Sequence, residues 1–523
     1  MVRSPYPDVE IPEASIHDFL FGDIDDDRLD AVALIDGMTG ASTTYRQLIG
    51  QIDLFAGALA ARGVGVGTRV GLLCPNVPAF ATVFHGILRA GATATTINSL
   101  YTPDEIANQL ADADATWLIT VSPLLPGAEA AAATLGIDDD HLIVLDGADG
   151  HPSLAALLGE GRAAPEVAFD PATHLAVLPY SSGTTGRPKG VMLTHRNLVA
   201  NVSQCRSTIS LRDDDRVLAV LPFFHIYGMT VLLNFALRQR AALVTMPKFD
   251  LTEFLRVVQE HRTSWVFIAP PIAVALAKHP LVDQYDTSAV KVVFSGAAPL
   301  DGALATAVAT RLGCTVCQGY GMTETSPVTH AIPYDRDDID RSSVGTLLAN
   351  TEARLIGDDG ADVEVPAEGP SEPGEILIRG PQVMAGYLGR PDATAEMLDD
   401  DGWLHTGDVA TVTHDGVFRI VDRLKELIKY KGYQVAPAVL EAVLLEHPSI
   451  ADAAVIGAPD DDGQEVPKAF VVVQQGAELD ADAVMAHVAA HVAPHEKVRQ
   501  VEFVDAIPKS TSGKILRKDL RAR

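Results

Sequence analysis

The sequence predicts an α/β protein, with a large N-terminal domain of β-α layered sheets plus a small β-barrel-like region, and a small mobile α+β C-terminal domain. Up to about residue 420, short apolar strands alternate with helical patterns, which predicts largely parallel sheets with ligands at the carboxyl ends of the strands. From Glu352 onward the pattern changes to short strands and turns. Past Lys425, a compact unit of about one hundred residues has its own helices and strands.

The alternation begins with an apolar strand at 69–74, and the helix after it is marked by Val83, Phe84, Ile87 and Leu88. Further strands of the large domain are predicted at 117–121, 141–145, 175–178, 265–269 and 290–294. The Pro270-Pro271 pair opens a helix, because proline fits a first helical turn, and another helix covers 301–312. In the small domain, helices are predicted at 437–445 and 481–492, and strands at 453–456, 469–473 and 501–504.

Residues 217–237 contain no Asp, Glu, Lys or Arg and are just long enough to span a bilayer. Pro222, Gly228 and Asn234 break a continuous helix at three places within this segment. We therefore interpret it as buried core, a strand followed by a turn and a helix, which opens onto a site.

Composition argues against several classes of protein. The 523 residues have a formal net charge of −29, which disfavours binding to nucleic acid or to an anionic membrane surface. The four cysteines are too few for a disulfide framework, and Cys314 and Cys317 are predicted to be buried strand thiols rather than a zinc or redox site. The N-terminus has acids and prolines where a signal peptide needs an apolar core, so we expect a cytoplasmic protein without membrane insertion.

The most informative stretch is Tyr180-Ser-Ser-Gly-Thr-Thr-Gly-Arg-Pro-Lys-Gly190, which follows an apolar strand. Its glycines let backbone N–H groups turn toward an anion, and its hydroxyls and Lys189 supply further donors. It is not a Walker A loop, because Lys189 follows a proline and precedes a glycine. The stretch predicts a phosphate-binding loop, and a flexible surface loop is the alternative.

Four further clusters accompany this loop. Gln318-Gly-Tyr-Gly-Met-Thr-Glu324 supplies flexible backbone, an aromatic face and a carboxylate suited to a purine, a ribose or a magnesium ion. Asp408 lies in a turn, where its carboxylate is able to accept from ribose hydroxyls. Basic residues at 423, 425, 429 and 431 run against the acidic composition, and Lys514 follows a polar loop. Singly, these clusters are also typical of a tight turn, an Asx-turn, a solvated face and a frayed terminus.

Together, and in this order, the clusters resemble the acyl-adenylate-forming (ANL) superfamily, specifically acyl-CoA ligases of the 4-coumarate–CoA ligase type. The resemblance covers nearly the whole chain and rests on 181–190, Gly319-Tyr-Gly-Met-Thr-Glu324, Thr406-Gly-Asp408, Arg423-x-Lys425 and Gly513-Lys514. Leu221-Pro-Phe-Phe-His-Ile-Tyr227 and Glu426-Leu-Ile-Lys-Tyr-Lys-Gly-Tyr-Gln-Val435 resemble the coumarate-ligase branch in particular.

The resemblance implies an enzyme that uses ATP and Mg²⁺, with CoA as co-substrate. A carboxylate attacks the α-phosphate of ATP to give an acyl-AMP and pyrophosphate, and the CoA thiolate then displaces AMP. Lys514 is implied to bridge the carboxylate and the α-phosphate, with Thr184 and Glu324 near Mg²⁺. The implied ATP- and AMP-binding residues are Ser181, Ser182, Gly183, Thr184, Thr185, Lys189, Ala297, Gln318, Gly319, Tyr320, Gly321, Thr323, Asp408, Arg423, Lys425, Lys429, Gln434 and Lys514.

The resemblance also implies an adenylation domain at 1–422, a hinge at 423–427 and a lid domain at 428–523. The lid is expected to rotate about Lys425 between the two half-reactions. Rotation exchanges Lys514 for a second face, on which Lys429 and Gln434 match catalytic residues. The implied CoA-binding residues are Lys248, Lys431 and Gly432.

The residues that match the acyl pocket are mostly apolar or aromatic, with glycines that leave space for a flat ring: Tyr227, Val231, Phe294, Gly296, Ala297, Gly321, Pro327 and Val328. This set favours a cinnamate-like acid, with Tyr227 and backbone groups available to a para-hydroxyl. Plant members commonly have methionine in place of Phe294, so cinnamate or 4-coumarate is favoured over methoxylated acids. His225 matches a catalytic gate beside the carboxylate, and an ordinary core histidine is the alternative.

Two other functions stay open. A medium- or long-chain fatty-acyl-CoA ligase shares every nucleotide motif and differs in the depth of the acyl pocket. A carrier-protein-loading adenylation module is a partner-dependent protein, and no carrier domain follows Gly513. We therefore expect a carboxylic acid, ATP and CoA as partners. A homodimer also stays open, because the contacts that form one leave no readable signature in the sequence.

Overall fold

The computed structural model describes residues 1–181, 188–430, 433–460, 465–510, 513–521 and 523, with the backbone alone for Tyr433 and Gln434. The predicted α/β fold class is confirmed, because large sheets are layered with helices and a separate domain lies at the C-terminus.

The strands of the described residues are, in chain order, β1 (Val2–Arg3), β2 (Val32–Asp36), β3 (Ser42–Thr44), β4 (Arg69–Leu72), β5 (Thr93–Thr96), β6 (Trp117–Thr120), β7 (Leu142–Val144), β8 (Leu175–Val177), β9 (Tyr180–Ser181), β10 (Lys189–Thr194), β11 (Arg216–Ala219), β12 (Ala242–Thr245), β13 (Trp265–Ile268), β14 (Val292–Ser295), β15 (Thr315–Gly321), β16 (Val328–Ala331), β17 (Thr346–Leu347), β18 (Glu352–Ile356), β19 (Gly374–Arg379), β20 (Gly386–Tyr387), β21 (Leu404–Val412), β22 (Phe418–Arg423), β23 (Ile428–Tyr430), β24 (Tyr433–Val435), β25 (Ile450–Pro459), β26 (Glu465–Val473) and β27 (Gln500–Phe503).

The α-helices are α1 (Ile16–Phe21), α2 (Tyr45–Ala60), α3 (Pro78–Arg89), α4 (Pro103–Asp112), α5 (Leu125–Leu135), α6 (Leu154–Gly159), α7 (His195–Cys205), α8 (Phe235–Arg238), α9 (Leu251–His261), α10 (Pro270–Lys278), α11 (Gly302–Leu312), α12 (Pro391–Met397), α13 (Pro437–Glu446), α14 (Ala481–His491) and α15 (Arg517–Arg521).

Two large sheets form the body of the protein. One runs in the order β17-β16-β15-β14-β13-β11-β12-β2-β3 and is parallel from β15 to β2. The other runs β20-β10-β8-β5-β4-β6-β7 and is parallel from β8 to β7, whereas β10 pairs antiparallel with β8 and β20. Parallel strands need crossover helices that cover both faces, and their residues are accordingly buried throughout, as in β13 and β14.

A third sheet, β1-β18-β19-β21-β22, is antiparallel and occupies the region predicted to be barrel-like. In the small domain, β25, β26 and β27 form a sheet against which α13 and α14 pack. The domain has its own apolar core, in which Leu440, Val455, Val471 and Val488 are fully buried. An independent core is what a separately moving domain requires.

The uncharged segment 217–237 is buried, as predicted. Strand β11 leads through a turn into a π-helical stretch, Gly228–Asn234, which continues as α8. Within the part of the chain that the structure describes, no helix combines the length and the apolar character needed to cross a membrane. Cys317 is a buried free thiol in β15, and Cys314, also a free thiol, is half-buried just before that strand.

Candidate active site

One large cavity, of about 870 Å³, opens at the carboxyl ends of parallel strands from both large sheets. Thr96 ends β5, Tyr180 follows β8, His225 follows β11, and Gly296 follows β14. This is the edge of a parallel sheet at which ligands bind, because the loops there are free to carry polar groups. The sequence therefore predicted both the edge and several of the strands that build the site.

The phosphate-loop prediction falls on a hairpin whose two strands reach the cavity. Lys189 pairs with Ser181, and Gly190 pairs with Tyr180, so β9 and β10 bring the two ends of the loop together. Ser181 and Lys189 both line the cavity. The Tyr180 hydroxyl donates to Asp112 Oδ2 (2.8 Å), which fixes the stem against α4. The predicted loop residues Ser182, Gly183, Thr184 and Thr185 lie outside the described residues.

A polar corner of the cavity is formed by strands β15, β21 and β22. The Tyr320 hydroxyl donates to Asp408 Oδ2 (2.6 Å), and Arg423 Nε lies 3.5 Å from Asp408 Oδ1. Asp408 is 7% exposed, and its backbone N–H donates to Thr406 Oγ1 (3.1 Å). Burial, with the neighbouring Asp408 carboxylate, raises the pKa of Tyr320, so the phenol stays a donor. A buried carboxylate held in this way is suited to accept from vicinal hydroxyls.

Glu324 lies on another wall of the cavity and is 5% exposed. Its Oε1 accepts from the Tyr387 hydroxyl (2.7 Å), and its backbone oxygen accepts from Met384 N–H (2.9 Å). The ring of Tyr387 also contacts Lys189, whose Nζ lies 4.7 Å from the ring centroid. Nothing in the sequence marks Tyr387 as part of this site, because it is 63 residues from Glu324 and is brought there by the pairing of β20 with β10.

Lys514 enters the cavity from the C-terminal domain. Its backbone N–H donates to Ser510 Oγ (3.2 Å), and the backbone of Gly513, with φ +82°, lies against α10, where a Cβ would meet Pro271 at 3.1 Å. Burial, with the Arg423 guanidinium second, lowers the pKa of Lys514 to about 8, while Asp408 and Glu324 oppose that shift. The ammonium therefore lies among the polar groups of the large domain, where an anionic ligand would meet it.

His225 faces the same region. Its Nδ1 accepts from Tyr227 N–H (3.3 Å), which leaves the proton on Nε2. Burial, together with nearby Lys514, lowers the pKa of His225 to about 4. The imidazole is therefore neutral near pH 7 and presents an N–H donor rather than a positive charge. This placement favours the predicted gate over an ordinary core histidine.

An apolar part of the cavity contains most of the residues predicted for an acyl pocket. The Tyr227 hydroxyl donates to Phe294 O (3.3 Å), and the Tyr227 ring covers Gly296, where a Cβ would meet the ring at 2.8 Å. Ala297 adopts a left-handed backbone conformation, with φ +70°. The members of the predicted set that line the cavity are Tyr227, Phe294, Gly296, Ala297, Gly321, Pro327 and Val328. Val231 lies elsewhere, fully buried in the π-helical stretch.

The other residues predicted to bind the nucleotide fall into two groups: most line the cavity, and one supports the loop behind the cavity wall. Gly319, Tyr320, Gly321, Thr323, Arg423 and Lys425 line the cavity. Gln318 has another position: its Nε2 donates to Leu300 O (3.0 Å) and Arg341 O (2.6 Å), and its Oε1 accepts from Leu300 N–H (3.2 Å). Its side chain thus holds the loop that carries Ala297, rather than facing a ligand.

The residues predicted for a second half-reaction lie away from this cavity. Lys429 is exposed on β23, where its backbone N–H donates to Glu465 Oε2 (2.8 Å). Gln434 pairs with Lys429 through the backbone, and its side chain is outside the described part. Lys248 is exposed on the loop after β12. Lys431 and Gly432 are outside the described residues.

Apolar and polar contacts join the small domain to the large one: Val409 packs in an apolar cluster with Ala436, and one polar contact is partly buried. Within the small domain, Arg517, three residues after Lys514, donates from one nitrogen to both carboxylate oxygens of Glu441 (2.7 and 2.8 Å). Asp422, in β22 of the large domain, accepts from Ala438 N–H (2.8 Å) in the first turn of α13. Ala436, which immediately precedes α13, provides no side-chain cap to the helix. The small domain is therefore held by its helix end as well as by Lys514.

Comparison with known proteins identifies the family. The AMP-binding enzyme family matches residues 24–388, and the AMP-binding enzyme C-terminal domain matches residues 439–514. The chain belongs to the AMP-binding enzyme family. Among its relatives, "4-coumarate--CoA ligase 5" of Oryza sativa subsp. japonica is 43% identical over 532 residues, which cover 100% of this chain and 97% of the rice protein.

Solved structures of similar proteins superpose on nearly the whole chain. The anthranilate CoA ligase AuaEII, in complex with anthranoyl-AMP, superposes with a TM-score of 0.89 at 26% identity, over 98% of each chain. ATP-bound MatB from Rhodopseudomonas palustris gives a TM-score of 0.87 at 29% identity, over 98% of this chain and 99% of MatB. The predicted resemblance to acyl-adenylate-forming enzymes is confirmed.

Proposed function

We propose that this AMP-binding enzyme is an ATP-dependent acid–thiol ligase that converts a cinnamate-like carboxylic acid into its CoA thioester through an acyl-AMP. The observation that carries the proposal is the convergence of Lys514, Glu324 and Arg423 on one cavity that also has an apolar, aromatic end, with Asp408 directly behind Tyr320 and Arg423. Relatives named 4-coumarate–CoA ligase, aligned over the whole chain, support the choice of thiol and acid.

The first half-reaction brings a carboxylate against a phosphate, so its barrier is chiefly the repulsion of two anions. Lys514 is the cation in a position to bridge them, because it is anchored by the Ser510 loop and enters between the polar corner and His225. Asp408 and Arg423 are proposed to hold the ribose, and Lys189 the outer phosphates. Cations fixed before the reaction stabilise the transition state without reorganising during it.

The donor set also fits Mg²⁺, the metal that the family implies. A site for Mg²⁺ usually combines one or two carboxylates with phosphate oxygens and water. Glu324 offers such a carboxylate: Oε1 accepts from Tyr387, and the side chain lines the cavity. When bound, Mg²⁺ would neutralise the charge of the phosphates, and Glu324 is the described residue proposed to hold it.

The second half-reaction needs a different face of the small domain. The proposed boundaries are 1–422 for the adenylation domain, 423–427 for the hinge and 428–523 for the lid. In the conformation described, Lys514 occupies the cavity while Lys429 and Lys248 point to solvent. Rotation of the lid is proposed to withdraw Lys514 after acyl-AMP forms and to bring Lys429, Gln434 and the CoA-binding residues to the thioester step.

The acid is proposed to be aromatic because the apolar end of the cavity is built from rings and close-packed glycines. The Tyr227 ring lies on Gly296, and Phe294 packs beside Gly319, where a Cβ would come within 3.0 Å of the Phe294 ring. These contacts place two aromatic rings against the glycines, so the wall at this end of the cavity is apolar and closely packed. The Tyr227 hydroxyl already donates to Phe294 O, so it would meet a para-hydroxyl of the substrate as an acceptor.

A coupled assay of AMP release tests this proposal directly. Purified enzyme is given ATP, Mg²⁺ and CoA with cinnamate, 4-coumarate, caffeate, ferulate, benzoate or fatty acids of different lengths. We expect the highest kcat/KM with cinnamate or 4-coumarate. A preference for long-chain fatty acids would show that the enzyme is a fatty-acyl-CoA ligase, which uses the same two half-reactions on a different acid. Acyl-AMP that forms but is not transferred to CoA would favour a module that loads a carrier protein.

Replacing Phe294 should change the choice among these acids. We expect Phe294→Met to raise the ratio of kcat/KM for ferulate over cinnamate by about tenfold, because a flexible thioether gives way to a methoxy group where a ring does not. Phe254→Met is the control, since Phe254 is an equally buried phenylalanine on α9. An equal ratio in both variants would show that Phe294 does not limit the pocket.

The pKa of Lys514 predicts a pH dependence. The bridge between two anions requires the ammonium form, and the pKa is lowered from 10.5 to about 8. We therefore expect kcat/KM for acid-dependent exchange of pyrophosphate into ATP to fall above about pH 8, approaching tenfold per pH unit. Transfer of supplied acyl-AMP to CoA should not fall over that range. A profile of pyrophosphate exchange that stays level through pH 9 would contradict the role of Lys514.

The free thiols of all four cysteines suit the cytoplasm, which we propose as the location.

A further inference from the structure

Tyr387, on the cavity wall, contacts both groups proposed to handle the phosphates. Its hydroxyl donates to Glu324 Oε1 (2.7 Å), and its ring face meets the Lys189 ammonium 4.7 Å from the centroid. The side chain lines the cavity, although the residue is only 4% exposed. The two contacts use different parts of the phenol, its polar end and its negative face, so they form together.

The backbone around Tyr387 is tied to the same two elements. Strand β20 pairs with β10, in the register Val191 to Tyr387, and Leu388 N–H donates to Gly190 O (2.9 Å). On the other side, Met384 N–H donates to Glu324 O (2.9 Å). The ring is thus mounted on a short strand that is bonded to both the phosphate-loop stem and the segment that carries the carboxylate.

The position of Tyr387 bears on the electrostatic attraction between Lys189 and Glu324. A lysine and a glutamate that face one cavity attract each other, and an ion pair between them would occupy the groups needed by phosphate and metal. No ion pair of Lys189 is present within the described ranges, and the phenol engages each group separately. The hydrogen bond from the Tyr387 hydroxyl thereby fixes the orientation of the Glu324 carboxylate through one of its oxygens. The ring face of Tyr387 holds the Lys189 ammonium without neutralising its charge.

We propose that Tyr387 is a positioning residue that keeps Glu324 available to Mg²⁺ and Lys189 available to the outer phosphates of ATP. This inference rests on the proposed function, because it takes both partners in their proposed roles. The phenol does not react. Its role is to donate the hydrogen bond to Glu324 Oε1 and to present its ring face to Lys189.

The test measures binding rather than turnover. The dissociation constant of α,β-methylene-ATP, which does not react, is determined with Mg²⁺ and with EDTA for the wild type and for Tyr387→Phe. The wild type should bind more tightly with Mg²⁺. Tyr387→Phe should reduce the ratio of the two constants by about tenfold, because a hydrogen bond to the carboxylate is lost. Tyr387→Leu, which also removes the ring, should weaken binding in EDTA by a few fold more.

Tyr45→Phe is the matched control, since it removes another buried phenol hydroxyl, one that donates to Leu237 O and Ala241 O and does not line the cavity. It should leave the Mg²⁺ ratio unchanged. An unchanged ratio in Tyr387→Phe, or equal losses in both variants, would overturn the inference. A wild type that does not form acyl-AMP would instead overturn the proposed function, so the two failures are distinguishable.

Discussion

Lys514→Ala is expected to lose acyl-AMP formation while it keeps thioester formation. The Lys514 ammonium is a cation that the small domain supplies to the cavity, and removing one preorganised charge from a phosphoryl-transfer site costs at least about 10²-fold in kcat. The loss should appear in acid-dependent exchange of pyrophosphate into ATP. Transfer of supplied acyl-AMP to CoA should stay within about twofold of the wild type, since Lys514 is proposed to leave the site before that step.

Lys509→Ala is a suitable control for this experiment. Lys509 is another lysine on the cavity wall, but its Nζ is bound to both Asp452 oxygens (2.8 and 2.6 Å) within the small domain. It should retain exchange activity. Full exchange activity in Lys514→Ala would remove Lys514 from the mechanism, and an equal loss of both half-reactions would point to a misplaced lid.

Lys425→Pro is expected to show the opposite pattern, with acyl-AMP formed and thioester formation blocked. Lys425 lies in the turn after β22. In this turn, the backbone N–H groups of Glu426 and Leu427 donate to Arg423 O, so proline at 425 removes neither hydrogen bond. The proposed rotation of the lid, however, would need new backbone angles near this residue. A proline that resists them costs about 3 kcal/mol, or roughly 10²-fold in the thioester step.

Lys425→Ala is the control for the hinge, because it removes the side chain but leaves φ free to change. It should form thioester at nearly the rate of the wild type. The two half-reactions are measured separately, by pyrophosphate exchange and by transfer from supplied acyl-AMP. Thioester formation that survives in Lys425→Pro would place the hinge elsewhere.

The sequence predicted the parts of this site that depend on local pattern. The Gly/Ser/Thr segment before Lys189 and the strand that leads into Gly319 place their groups at strand ends, and strand ends share one edge of a sheet. Residues 217–237 were predicted to be buried because their breaks are visible in the sequence. Strand limits were less accurate: β25 extends over Ile450–Pro459, beyond the predicted 453–456, because pairing with β26 continues past the apolar residues.

What the sequence did not reveal depends on contacts between distant segments. Tyr387 reaches Glu324 across 63 residues, and Asp112 reaches Tyr180 across 68. Each is a single polar side chain in an ordinary local context, so no periodicity or spacing marks it. Gln318 shows the reverse case, since its position in a glycine-rich motif suggested a ligand contact while its amide bonds to Leu300 and Arg341. A motif locates the backbone, whereas the direction of a side chain depends on the neighbouring segments.

The hydrogen bond from Ala438 to Asp422 has a consequence for the timing of catalysis. Asp422 of the large domain accepts a hydrogen bond from the first turn of α13, so the proposed rotation of the lid would break that bond. A helix cap is worth about 0.5–2 kcal/mol, which biases the resting population several-fold toward the arrangement ready to activate the acid. The bias is small enough for pyrophosphate release and CoA binding to reverse it. The Asp422 carboxylate would thus favour the conformation that binds ATP and the acid. After these have reacted, the enzyme would still be able to change to the conformation for thioester formation.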